Sequence, residues 1–227
     1  MSKYKVNNQS HRIFVGNNWD SIGKLQFDFC VNQGLTPDMK LIDIGCGSLR
    51  AGTHFIRYMG NNYYGIDRHE QLINAGINIE APMCNLVARR ENFFVTKDFD
   101  LSPFNTKFNF GWCNSVFTHL PTRCIIECLT NTQPYFAPGA TLYATIYITK
   151  GYSYQNELQT FNDRRQYVNT GPIQHDEESM SGLKTFCYNI RDIVKIFDSV
   201  KTMWECNILG DWNHPKEQQM LTFKKVL

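Results

Sequence analysis

Residues 41–52, LIDIGCGSLRAG, decide how the rest of the chain is read. An apolar run at 41–45 stops at a pair of glycines, and LRAGTHFIRYMG (49–60) follows with helical spacing and a closing Gly60. This is a short buried strand, a glycine loop and a helix. Gly45 and Gly47 allow backbone angles and a closeness of approach that a β-carbon forbids. The helix start turns free N–H groups and its positive end toward whatever lies against the loop. A dinucleotide loop of the form G-x-G-x-x-G starting at Gly45 needs glycine at position 50, and Arg50 stands there, which disfavours that version.

Outward from the loop, strand and helix patterns alternate. YYGID (63–67) reads as a second strand, with a helix to about residue 79, and NFFVT (92–96) as a third strand. FNFGWCNSVF (108–117) is a fourth strand, 122–136 a helix, and TLYATIYI (141–148), entered through a Pro138-Gly139 turn, a fifth. NIRDIVKIFDS (189–199) is an amphipathic helix capped by Asn189, and 201–208 and 218–226 are two closing strands around GDWNHP. Strands separated by helices imply parallel units with right-handed crossovers, hence an α/β sheet covered on both faces. Before this fold, NNWDSIGKLQFDFCVNQG forms a helix with Asn18 as cap and Gly34 as stop. The domain organisation expected is an N-terminal helical cap at 1–36 and one domain at 37–227, with a polar insertion at about 150–182 after the fifth strand.

Composition narrows the classes. A hydrophobic fraction of 42% and a charged fraction of 19% fit a folded globular chain, and a net charge of +2 gives no reason to expect a nucleic-acid duplex as partner. The opening residues hold no apolar core for a secretory signal, and no run is long enough to span a bilayer. The eight cysteines include no C-x-x-C pair and read as reduced thiols packed as small hydrophobes in a cytoplasmic protein.

Asp67, at the end of the second strand, has two readings: a carboxylate that accepts from both hydroxyls of a ribose, or a cap for the helix behind it. With LIDIGCG and YYGID, the stretches KDFDLSPF (97–104), FNFGWCNSVFTHLP (108–121) and FAPGATLYATIY (136–147) resemble the ordered motifs of the class I S-adenosylmethionine-dependent methyltransferases. The resemblance covers 41–148 and implies a single-domain Rossmann-like fold with a seven-stranded, mostly parallel sheet, an N-terminal helical lid and S-adenosyl-L-methionine as cofactor. It implies further that Gly45, Cys46 and Gly47 lie under the methionine portion, with Asp43 fixing the loop from behind. Asp67 would then hold the ribose and Arg68 lie along the adenine. Asp98 would accept from the adenine amino group, the Phe99 N–H reach a ring nitrogen, and Asn114 sit near the methionine end. The chain departs from the family where a third glycine often stands, at Leu49. Arg50 either pairs with the cofactor carboxylate or is a solvated helix arginine.

Methyl transfer to a hydroxyl needs a base. His119, in SVFTHLP, is one candidate, its alternative role being to hold the loop before Pro121. His175, in the HDEE run at 175–178, is the other; that run could supply a base or a metal ligand but is more often a solvated loop, and no metal is expected. Trp19, Gly23 and Gln26 either cover the cofactor or pack against the sheet. With no nucleic-acid signature, the acceptor expected is a small molecule or sugar, methylated at oxygen, in the manner of surface-polysaccharide enzymes. The alternatives are a nicotinamide-dependent oxidoreductase or epimerase, and a non-catalytic binding protein of the same fold.

Overall fold

A computed structural model describes residues 10–16, 18–149 and 185–226. The expected insertion at 150–182, with His175, lies outside the described residues. Seven strands form one sheet in the order β3 (Phe93–Val95), β2 (Tyr63–Asp67), β1 (Leu41–Ile44), β4 (Phe108–Cys113), β5 (Phe136–Ile146), β7 (Gln219–Lys225) and β6 (Trp204–Asp211), mostly parallel, with β7 running against both its neighbours. The chain divides into two compact units, Met1–Trp112 and Cys113–Leu227.

In the first unit, α1 (Ser10–Phe14) and α2 (Trp19–Asn32) precede β1 (Leu41–Ile44). Then come α3 (Gly52–Met59), β2 (Tyr63–Asp67), α4 (Glu70–Ala75) and β3 (Phe93–Val95). A π-helical stretch, Gly76–Glu80, continues α4. β1 pairs in parallel with β2 and with β4 (Phe108–Cys113), and β2 with β3. All four β1 residues are buried, as a strand covered on both faces requires. Phe55, Tyr63, Phe93, Phe108 and Trp112 fill this core. The indole N–H of Trp112 donates to Gln26 Oε1 at 2.9 Å, so α2 is tied into the core through a satisfied polar pair. Asn18 does not cap α2 through its side chain. It sits in a left-handed conformation at φ 50°, and its carbonyl accepts from Ile22 N.

The second unit holds α5 (Thr122–Thr132), β5 (Phe136–Ile146), α6 (Ile190–Val200), β6 (Trp204–Asp211) and β7 (Gln219–Lys225). Asn189 caps α6 as expected, its side chain accepting from Asp192 N at 3.0 Å. β5 begins ahead of Pro138-Gly139, but its register with β7 starts only at Thr141, where the turn ends. β6 starts three residues later than its apolar pattern suggested, because residues 201–203 are still turning out of α6. Trp204 anchors β6 against α5, donating from its indole N–H to Leu129 O at 3.0 Å. All eight cysteines are free thiols.

Candidate functional site

The loop after β1 is held by β2. Gly45 N and Cys46 N both donate to Ile66 O, at 2.8 and 3.0 Å. Gly47 N donates to Asp67 Oδ2 at 2.9 Å, and Asp67 Oδ1 accepts from His69 N at 2.8 Å. Asp67 therefore does form the local turn that starts α4, and it also clamps the glycine loop. A carboxylate offers about four acceptor positions, so two remain for a ligand. Burial raises the Asp67 carboxyl, against the His69 and Gly47 amides, which lower it.

Gly45 and Gly47 take φ 78° and 54°, and Leu49, two residues on, takes φ 66°. The leucine thus carries the left-handed conformation for which a third glycine is the usual solution. This displaces the helix start: α3 begins at Gly52, not at 49. Cys46 is buried against β2, where a β-carbon on Gly65 would lie 2.8 Å from its sulfur, and burial raises its thiol far out of the reactive range.

Asp43 is buried beneath the loop and accepts from the Tyr63 hydroxyl at 2.7 Å. Gly52 makes room for that hydroxyl, since a β-carbon there would stand 2.7 Å from it. Burial pushes the Asp43 carboxyl up to about 7, despite the Tyr63 hydrogen bond. Arg50 is not a solvated helix arginine. It is buried, with Nη1 donating to Val15 O at 2.7 Å, and burial lowers its guanidinium to about 10 while Asp43 opposes that shift. Arg68 is exposed beside Asp67.

After β3, Asp98 Oδ1 accepts from Thr96 Oγ1 at 2.6 Å, and this bond holds its carboxyl below the usual range. Thr96, Lys97, Asp98 and Pro103 line an open recess of about 430 Å³. Phe99 takes φ 63°, a second bulky residue in left-handed backbone. Such conformations gather at ligand sites, where surrounding structure enforces them.

The second unit, taken by itself, holds a constellation after β4. Ser115 is left-handed at φ 61°, its N–H donating to Thr145 Oγ1 at 2.7 Å and its carbonyl accepting from Thr118 Oγ1 at 2.7 Å. Its hydroxyl lies 2.9 Å from Gln218 Nε2, and Asn114 Nδ2 donates to the same oxygen at 3.3 Å. Asn114 Oδ1 is buried with no hydrogen-bond partner among the described residues, a state that a donor from a ligand would relieve. His119 ends the 3₁₀ turn Phe117–His119 and is half-buried.

Reasoning from sequence did not reach Tyr63, Val15, Glu80 or Gln218. Gly52 and Gly65 were visible signals of close packing. Nothing near Gln218 announces its partner, 103 residues away. Gly23 and Gln26 prove to be packing residues: a β-carbon on Gly23 would lie 2.6 Å from Arg50 O.

No family model matches the chain, and no curated protein matches it. Solved structures do. A magnesium protoporphyrin IX methyltransferase from Synechocystis PCC 6803 with bound SAH is similar over 99% of this chain and 90% of its own, at TM-score 0.59 and 15% identity. A SAM-dependent methyltransferase from Aquifex aeolicus is similar over 98% of this chain and 100% of its own, at TM-score 0.59 and 14% identity. One from Methanosarcina mazei gives 87%, 97%, 0.57 and 16%.

The fold is that of the class I methyltransferases.

Within this methyltransferase fold, the loops after β1, β2 and β3 carry the residues that the sequence singled out. The structure brings Gly47 and Asp67 into direct contact, and Asp98 accepts from Thr96 on the turn after β3. Among the described residues no helix is long and apolar enough to cross a membrane, and no group of three His, Cys, Asp or Glu residues gathers for a metal.

Proposed function

We propose that the protein is an S-adenosyl-L-methionine-dependent methyltransferase that acts on a small-molecule or sugar acceptor at oxygen. The observation that carries this reading is the Gly47–Asp67 contact: a glycine-loop amide and a strand-end carboxylate hold each other, with two acceptor positions to spare. The residues fit the cofactor on chemical grounds. Asp67 offers acceptors to a ribose and Asp98 to an adenine amino group; in the second unit Asn114 Oδ1, without a hydrogen-bond partner among the described residues, is the acceptor proposed for an ammonium. Arg68 and the Phe99 amide complete the adenine side. Arg50, turned to Val15, serves the loop's shape more directly than a cofactor carboxylate.

The bound cofactor supplies an electrophilic methyl group. The chain's part is to align an acceptor oxygen with it and to take the hydroxyl proton. His119, on the turn behind β4, is the base in this reading, and His175 is the second candidate. The Synechocystis protein acts on magnesium protoporphyrin IX, as its name states, which is in keeping with a small-molecule acceptor.

Calorimetry with S-adenosylhomocysteine and with NAD tests the proposal. Binding of the first and not the second is expected; the reverse would end it. Asp67→Ala is expected to weaken S-adenosylhomocysteine binding by roughly 1–3 kcal/mol, the scale for lost charge-assisted hydrogen bonds. Asp67→Asn, which keeps an acceptor for Gly47 N, should lose less.

A further inference from the structure

Residues 10–16 cross the outside of the glycine loop, and their attachment is unusual. Glu80 is fully buried on the π-helical stretch behind α4. Its carboxylate receives Nε and Nη2 of Arg12 at 2.7 and 2.6 Å, and Nε2 of His11 stands 2.5 Å from Oε1. These partners are 68 and 69 residues away in sequence. Burial pushes the Glu80 carboxyl up, but the hydrogen bonds from Arg12 and His11 outweigh it, and the net shift is downward.

Beyond the clasp, Phe14 and Val15 lie over the proposed cofactor seat. The Phe14 ring meets the His69 ring edge-on at 5.5 Å, beside Asp67. Val15 O accepts from Arg50, and Val15 Cγ1 lies 2.9 Å from where a β-carbon on Gly47 would stand. The close approach that glycine permits at position 47 is thus used by a side chain of this same protein. This strap has a side that faces solvent. Ile13 is 63% exposed between buried His11 and the half-buried Phe14, so solvent lies on its far side. Four of residues 11–16 are only half-buried, so the main cost of opening is the charge left uncompensated on Glu80.

We propose that Glu80 is a positioning residue that clasps residues 10–16 over the cofactor seat, and that cofactor enters and leaves by release of this clasp. The inference rests on the cofactor reading above. The test compares wild type, Glu80→Gln and Arg12→Ala in stopped-flow binding and displacement of S-adenosylhomocysteine. Amide hydrogen exchange of residues 11–16 is followed alongside. Both variants should raise the association and dissociation rates together, roughly tenfold or more, because breaking a buried charge pair is strongly destabilising and here weakens the closed strap. Bound S-adenosylhomocysteine should slow strap exchange in wild type and much less in the variants.

Wild type that binds S-adenosylhomocysteine while both variants keep its rates would overturn the clasp alone. So would variants that lose only stability. Wild type that fails to bind S-adenosylhomocysteine removes the cofactor reading and the clasp with it. If Glu80→Gln does not fold, Arg12→Ala carries the test, because Arg12 is one-third exposed and its loss leaves His11 on Glu80.

Discussion

Leu49 holds a backbone angle that a β-carbon resists, at a cost of about 1–2 kcal/mol, and it is fully buried in compensation. The neighbouring residues were therefore legible in the sequence and this one was not, because left-handed backbone is ordinarily announced by glycine or asparagine. Asp43 shows the same limit. Its place at the end of β1 was readable, but its partner Tyr63 and the gap left by Gly52 belong to packing. Its carboxyl, raised from 3.8 to about 7, binds a proton more tightly in the folded chain than in the unfolded one. The stability this contributes is complete below the ordinary carboxylate range and is lost as pH rises toward 7. Unfolding free energy should fall across that window by up to about 1.4 kcal/mol per pH unit from this group. Asp43→Asn, which still accepts from Tyr63, should flatten that part of the profile in denaturant titrations at several pH values.

Among elements, the repeating strands and helices were legible from apolar period and turn residues, and all seven strands were located. Their ends were not. β4 stops at Cys113, four residues before its apolar pattern does, because Ser115 turns left-handed and spends its N–H on Thr145. The helix behind β2 was also expected to be regular, yet it opens into a π-helical stretch at Gly76. There the chain passes so close to the glycine loop that a β-carbon on Gly76 would lie 2.5 Å from Leu49 Cγ. Gly76→Ala should therefore destabilise the protein by about 1–3 kcal/mol, the cost of overpacking, whereas alanine normally favours a helix over glycine. The midpoint of urea unfolding measures it, and a gain in stability would show that the loop yields freely there.

For the whole molecule, the alternation of strands and helices along the chain followed from local pattern, while contacts that shape each unit's candidate residues join positions far apart in the chain. Glu80 with His11 and Arg12, and Gln218 with Ser115, are of this kind, and no periodicity encodes them. A ligand that binds only the folded chain stabilises all of it. At a hundred times its dissociation constant it adds about 2.7 kcal/mol, or roughly 5–10 °C in melting temperature for a chain of this size. Thermal melts with S-adenosylhomocysteine should show that rise, and melts with NAD should not.

A lamp for the strap stands beside it, at the start of α2. Arg12 lies over the Trp19 ring, 4.7 Å from its centre, an attraction that depends on the guanidinium staying in place. The other three tryptophans, Trp112, Trp204 and Trp212, are buried. Opening the clasp withdraws a cation from one indole and leaves the rest in their pockets, so the emission of unlabelled protein should change in intensity and colour. Trp19→Phe should abolish that change while leaving S-adenosylhomocysteine binding measurable by heat, which makes the native fluorescence a clock for strap movement.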